Sequence, residues 1–324
     1  MRPEHQTRQT GAGFVMIIVL WILAVMTVIT LGFGHRAYLD ARAAAHGCDI
    51  AQAQAMARGA IWRGMIELRH QELFQRALRA WLDQNPGLAP LYEEQLERRS
   101  PFQTYDTRDS YEHQFEGPYE HESCTVTIED EERRFSINTM PREILEEIPW
   151  FDASDFSDIL EENRIFVTLE ELREIDDIDD EAWIGNDEKP GIRDLLTVYG
   201  DGRININTAS RVVLELIPDF DGSIVDEIEQ FCAGDDAERG TADDRAFNAV
   251  DELSAMFGIS AEDLEPLRRY CKTDSGFYRI IGIATRRNGR VRATCTAVCA
   301  VTRNNQTSKL EFTVIHWREE VSGS

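Results

Sequence analysis

Twenty consecutive residues without a charge, FVMIIVLWILAVMTVITLGF from Phe14 to Phe33, follow directly on Gly13. At helical rise they span about the 30 Å of a bilayer's hydrocarbon core. A secretory signal has a shorter apolar region with its small-residue cleavage site after it. Here the small residues Gly11, Ala12 and Gly13 come before it. Cleavage after Gly13 leaves the apolar helix on the mature chain, so the fold must carry a helix that is apolar on every side. Arg2 and Arg8 ahead of the run predict a cytoplasmic N-terminus with the remainder exported. Arg36 and Arg42 beyond it oppose that signal in part.

The net charge is −25, and −26 once the first 13 residues, two arginines against one glutamate, are gone. Such a chain repels nucleic acid and anionic membrane surfaces and suits cation binding or plain solubility. Export places six cysteines in an oxidising space. Cys295 and Cys299 lie four apart on a predicted strand, about 13 Å, too far to bridge. Cys232 and Cys271, each after a helical stretch, are the candidate pair. No Cys-x-x-Cys or Cys/His zinc spacing is present.

From Phe14 to about Trp81 there is no proline, and alanine-rich helix formers follow the apolar run. Ala53, Met56, Ala57, Ala60, Ile61 and Met65 make a stripe at helical spacing, the face expected on the protein's own core. One helix is therefore predicted over 14–85, with Gly34, Gly47, Gly59 and Gly64 as points of bending and Asn85-Pro86-Gly87 as its stop. Residues 88–119 are polar and irregular. His121 to Ile128 alternates as a strand does, and Arg133 to Ile137 is expected to be its hairpin partner across an acidic turn. Gly276–Arg286, Val291–Thr302 and Lys309–Trp317 follow as three more strands, the first two joined at the two-residue turn Asn288-Gly289.

Between the strand groups lies an internal repeat. INTMPREILEEIPWFDAS (137–154) matches INTASRVVLELIPDFDGS (206–223) at 11 of 18 positions, 69 residues apart. Each copy continues into a second half, LEELREIDDID (169–179) and VDELSAMFGIS (250–260), and the second copy holds 12 extra residues before that point. Asn138 and Asn207 sit where helix N-caps belong. The expected fold is α+β: a long N-terminal helix packed on an antiparallel sheet, with a large inserted all-α domain of two helix-hairpin-helix-like repeats. The expected segments are 1–13, a leader; 14–33, membrane-spanning; 34–85, the rest of the helix; 86–137 with 274–324, the sheet; and 138–273, the insertion.

In DNA-binding forms of such a hairpin, bare glycine N–H groups meet a phosphate. Here the hairpins present Asp152 and Asp221 with no basic cluster around them, so packing is the expected role. The inserted loop GDDAERGTADD (234–244) is the candidate metal site. Asp235, Asp236, Glu238, Asp243 and Asp244 supply carboxylate oxygens for Ca2+, with a solvated acidic loop as the alternative. The run Asp176–Glu181 is a weaker candidate of the same kind. Seven scattered histidines, no nucleophile elbow and no phosphate loop leave an enzymatic reading without a constellation.

Gly13-Phe14 and the uncharged helix after it resemble the class III leader of type IV pilins and type II secretion pseudopilins. The resemblance implies that a prepilin peptidase cuts after Gly13 and methylates the amine of Phe14. Most relatives carry glutamate at the fifth mature position, where this chain has Ile18. That departure, the repeats within a pilin-like sheet and the ending VIHWREE (314–320) are similar to the K-type minor pseudopilin. The resemblance implies a type IV pilin-like fold and a non-enzymatic subunit that caps the pseudopilus tip and helps initiate its assembly. It implies minor pseudopilins of the I and J types, the prepilin peptidase and the inner-membrane secretion platform as partners, with the bulk of the chain periplasmic. It also implies calcium in the helical domain. A membrane-anchored DNA-uptake protein and a type IV pilus minor pilin are the alternative readings.

Overall fold

The computed structural model describes residues 12–84, 111–116, 122–151, 165–174, 178–218, 220, 222–239, 244–303 and 310–323. It divides into two units, 1–52 and 53–324. Helix α1, Ala12–Gln84, ends where the Asn-Pro-Gly stop predicts.

In the second unit, the predicted stripe is the buried face. Ala53, Ala57, Ala60, Ile61, Met65 and Leu68 are buried, and Met56 is half-buried. After β1, Tyr111–Glu116, comes β2, Ser123–Asp130, where alternate residues Cys124, Val126 and Ile128 turn inward.

The chain then leaves the sheet through a 3-10 turn, Glu131–Arg133. It passes through β3 (Phe135–Ser136), α2 (Arg142–Leu145), α3 (Asp180–Ile184), α4 (Ile192–Leu195) and β4 (Leu196–Thr197). The second copy follows: β5 (Ile204–Asn205), α5 (Arg211–Leu214), α6 (Gly222–Cys232), α7 (Glu252–Phe257), α8 (Leu264–Tyr270) and β6 (Cys271–Lys272). The chain returns to the sheet as β7 (Phe277–Arg286), β8 (Val291–Arg303) and β9 (Leu310–Gly323).

The sheet has the order β1-β2-β7-β8-β9, antiparallel throughout. Strands β2 and β7 are hydrogen-bonded neighbours, with Asp130 opposite Tyr278, so everything between them is an insertion into the sheet. The insertion has its own apolar core, drawn from Phe135 to Cys271 and including Ile144, Leu145, Leu195, Val213, Leu214, Phe247 and Leu267.

Five sequence expectations about secondary structure need correction. The stretch 88–119, expected to be irregular, contains strand β1, which pairs antiparallel with β2. Arg133–Ile137 is not a hairpin partner of β2: β3 pairs in parallel with β4, and β5 with β6. These two ladders also mean that the insertion is not all-α. The β7–β8 connection is four residues, 287–290, with left-handed φ at Arg287, Asn288 and Gly289, rather than a two-residue turn. Strand β9 continues through Arg318-Glu319-Glu320 to Gly323, because charged residues are at home on an edge strand.

Helix and sheet meet through small residues. A Cβ on Gly282 of β7 would lie 2.3 Å from the Ala57 carbonyl oxygen and 2.8 Å from the Ala60 Cβ. A Cβ on Gly64 of α1 would lie 2.8 Å from Ile280 Cγ2. The backbones therefore sit closer than any larger residue allows. Gly282→Ala drives a methyl into backbone and is expected to cost about 3 kcal/mol, the upper end of overpacking penalties. Gly59→Ala, where nothing lies within 4 Å, should instead stabilise by about 0.5–1 kcal/mol through helix propensity. Urea unfolding of the two variants checks both signs, and a neutral Gly282→Ala would disprove the close approach.

Candidate functional site

The apolar run forms the start of α1, with Gly13 and Phe14 inside the helix and residues 1–11 outside the described part. Every side chain from Phe14 to Phe33 is exposed; Phe14 itself is 68% exposed and Ile18 42%. The most apolar 18-residue window has a mean hydropathy of 2.9, and none of it is buried by the protein. This helix is long and apolar enough to cross a membrane. Its two hydroxyls are satisfied internally: Thr27 Oγ1 donates to the Leu23 carbonyl and Thr30 Oγ1 to that of Met26, each at 2.7 Å. That bonding leaves neither hydroxyl dependent on water.

The acidic loop brings in arginines that its carboxylate pattern does not announce. Arg245 Nη2 lies 2.6 Å from Asp235 Oδ1, and Arg239 Nη1 donates to the Asn207 carbonyl at 2.8 Å. Asp236 Oδ1 accepts from the Glu238 N–H at 2.8 Å, a turn that left-handed φ at Gly234 and Ala237 makes possible. Asp244 is buried. Asp243 lies outside the described residues. Among the described residues, no three Asp, Glu, His or Cys side chains converge as metal ligands.

The repeat's asparagines are not N-caps. Pro141 and Ser210 occupy those positions, and neither makes a side-chain cap bond. Each asparagine instead ties three strands of chain together. Asn138 Nδ2 donates to the Phe166 and Val198 carbonyls, and its Oδ1 accepts from the Phe166 N–H. Asn207 does the same with the Phe247 and Thr273 carbonyls and the Phe247 N–H. Phe166 and Phe247 are equivalent once the 12 extra residues are allowed for. An asparagine before a short helix gives the same sequence signal in either role.

In the first hairpin, Trp150 packs on the core and its Nε1 donates to the Pro190 carbonyl at 2.6 Å. Asp152 and Asp221 lie outside the described residues. No disulfide joins Cys232 to Cys271 or forms between any other cysteines. Burial pushes the thiols of Cys124, Cys295 and Cys299 up to about 11, which keeps them protonated and unreactive at neutral pH.

A cluster that sequence reasoning missed stands where β2 leaves the sheet. Asp130, Glu131, Glu132, Arg133 and Arg134 are five consecutive charged residues, all buried. Asp130 accepts from the Glu132 N–H, Asn205 Nδ2, Thr208 Oγ1 and Ser275 Oγ. Glu131 accepts from Thr197 Oγ1 at 2.6 Å, from Arg134 at 3.2 Å and from Arg279. Glu132 pairs with Lys272 Nζ at 2.7 Å and accepts from the Gly276 N–H at 2.6 Å. Burial raises the pKa of Asp130 and of Glu132. Burial also pushes Glu131 upward, but Arg134, Arg279 and the Thr197 hydroxyl outweigh it and hold that carboxyl at about 2. A run of charges after a strand ordinarily signals an exposed turn, and no pattern in the chain marks this one as interior.

No family model matches the chain, and no curated protein does. Among solved structures, the chain is similar to a chain of the crystal structure of the GspK-GspI-GspJ complex from the type 2 secretion system of enterotoxigenic Escherichia coli. The identity is 16% and the TM-score 0.47, over 79% of this chain and 99% of that one.

The buried carboxylate has a pH signature. Glu131 is depressed from 4.5 to about 2, so its contribution, about 3 kcal/mol, is present above pH 4.5 and lost as pH falls toward 2. The raised groups Asp130 and Glu132 act with the opposite sign, so the variant comparison isolates Glu131. Glu131→Gln should destabilise by about 3–5 kcal/mol at pH 7, because two guanidinium groups lose their buried partner. It should also flatten the loss of stability between pH 5 and 2 in denaturant titrations. An unchanged acid limb would remove Glu131 from this role.

Proposed function

We propose that this chain is a non-enzymatic minor pseudopilin of a type II secretion system, of the K type. In this reading it caps the pseudopilus tip and helps start its assembly for export across the outer membrane. The observation that carries the reading is an uncovered apolar helix that continues into a helix packed on an antiparallel sheet. A membrane holds the first part before assembly, and the apolar stems of neighbouring subunits hold it afterwards. The sheet's insertion adds bulk that a tightly stacked shaft has no room for but an end position accepts. Ile18 in place of an acid fits the same position. A carboxylate there would neutralise the terminal amine of the next subunit within an apolar bundle, where an unpaired charge is expensive, and a subunit at the end has none above it.

The prepilin peptidase, the secretion platform and the I- and J-type subunits are the partners in this reading. The cytoplasm holds the leader, the inner membrane residues 14–33, and the periplasm the rest. Phe14 becomes the methylated N-terminus. Expression beside an active prepilin peptidase should yield an N-methylated Phe14 terminus by mass spectrometry, and the intact leader beside an inactive one. Retention of residues 1–13 with the active enzyme would overturn the reading.

Asp235, Asp236, Glu238, Asp243 and Asp244 are proposed to hold Ca2+. Oxygen-only ligation of irregular geometry suits the ion, which would take the place of Arg245 on Asp235. Calcium should raise the melting temperature of the wild type but not of the double variant Asp235→Ala, Asp244→Ala. An absent effect on the wild type would remove the metal site and leave the assembly role standing.

A further inference from the structure

We propose that the free edge of β9, flanked by Trp62 and Ile66 of α1, receives an extended strand from a different subunit. That strand is neutral or basic and apolar at alternate residues. The inference rests on the assembly role above and names how one partner docks.

Strand β9 is 14 residues long and stands at the end of the sheet order. It pairs with β8 on one side, and among the described residues no strand pairs on the other. Among the described residues, its outer edge therefore leaves a row of backbone N–H and C=O groups unpaired by any strand. Natural edges are blunted by proline, charged side chains, bulges or brevity. The sequence LEFTVIHWREEVSG has no proline or lysine and is not short. Its charges sit at Glu311 and Arg318-Glu319-Glu320, which leaves 312–317 without Asp, Glu, Lys or Arg, and a register shift lies opposite Val298 and Cys299.

The side chains along this edge are apolar as well as exposed. Residues paired with the buried positions Ala293, Cys295, Ala297 and Cys299 of β8 face α1: Val321, Glu319, Trp317 and Val314. Val314, Trp317 and Val321 remain exposed there. Arg58 of α1 fixes the facing direction, because its Nε and Nη2 each lie 2.7 Å from a Glu319 carboxylate oxygen. Trp62 and Ile66 follow Arg58 by one and two helical turns, so they line the same side of α1. Both are exposed, at 59% and 65%.

Helix and strand also run in step. Gly282 lies against Ala57 and Ala60, while Gly64 lies against Ile280. Ascending α1 therefore matches descending residue numbers in β7, and through the register Gly282–Cys295–Glu319 and Ile280–Ala297–Trp317, in β9. Trp62 and Ile66 thus fall alongside the stretch that carries Trp317 and Val314. An open edge beside a continuous apolar strip suits strand addition, in which main-chain bonds supply affinity and alternate side chains fill the strip.

Charge selects the occupant. Strand β9 holds three glutamates against one arginine, and the whole chain carries −25. A second copy would bring the same acidic strand and the same excess charge, with like charges opposed across the new pair. A neutral or basic strand avoids both.

The test uses the full chain in detergent, co-purified with I- and J-type subunits of the same genome. Two variants, Trp62→Asp with Ile66→Asp, and Trp317→Asp, should each reduce recovery of the partner at least tenfold. Met256→Asp, an exposed apolar site on the insertion, should not. Unchanged melting temperatures for the α1 variant guard against misfolding. Backbone amides of 310–323 should exchange at least tenfold more slowly in the complex. Normal recovery with every variant, or unprotected β9 amides in an intact complex, overturns strand addition and leaves the assembly role in place. Homodimers of this chain that protect β9 overturn the choice of partner. Absence of any complex with either subunit overturns the assembly role and the docking site with it.

Discussion

Five charged side chains in a row, withdrawn from water, set the conditions that the second unit has to meet. Removing a carboxylate or guanidinium from solvent costs several kcal/mol unless partners surround it. Arg133 and Arg134 pair locally, with Glu129 and Glu131, but for the carboxylates Asp130, Glu131 and Glu132 a strand end and one tight turn offer too few donors. The rest come from Thr197, Asn205, Thr208, Lys272, Ser275, Gly276 and Arg279, which lie in both repeats and in the returning strand. The three carboxylates gain their full set of partners only when all of these are in place together. The junction therefore couples sheet and insertion more strictly than apolar contact alone, which tolerates sliding.

Inside the insertion, the same logic operates twice with neutral groups. Asn138 and Asn207 each give both ends of an amide to backbone from two other segments. Each repeat is closed by a two-residue parallel ladder, and the Ile137 and Ile206 N–H groups extend those ladders onto Thr197 and Lys272. Arg142 with Glu146, and Arg211 with Glu215, repeat even the exposed ion pair, at 2.8 and 2.7 Å. The extra 12 residues of the second copy enter ahead of Phe247; in that loop Arg239 bonds the Asn207 carbonyl, while the Asn207 side chain keeps the bonding pattern of Asn138.

Much of the architecture was legible because it rests on period and punctuation. The alanine stripe of α1, the stop at Asn-Pro-Gly, the alternation of β2 and the duplicated INT segments each follow from local pattern. What escaped depends on distant partners. Phe135-Ser136 has strand character, but nothing nearby tells it to choose Leu196-Thr197 over β2. The charged run looks like a solvated turn because burial is decided by seven residues located elsewhere. The acidic loop shows its carboxylates plainly, yet Arg239 turns out to bond the Asn207 carbonyl and Arg245 to pair with Asp235 at the surface. Trp62 and Ile66 could have been noted as apolar residues off the stripe, a signal present in the helical spacing itself.

The placement of the insertion between two adjacent strands governs the order in which the molecule can be built. Strands β2 and β7 touch along eight residue pairs, from Ser123 opposite Thr285 to Asp130 opposite Tyr278, yet almost half the chain separates them. Closing so long a loop before its contents are structured carries an entropic penalty that nothing repays until pairing is complete. Once the two repeats have collapsed on their own core, Asn205 and Thr208 already stand beside the strand-returning Ser275, ready for Asp130. The intervening chain then behaves as a short rigid hinge rather than a long tether, and the sheet can zip from that corner outward.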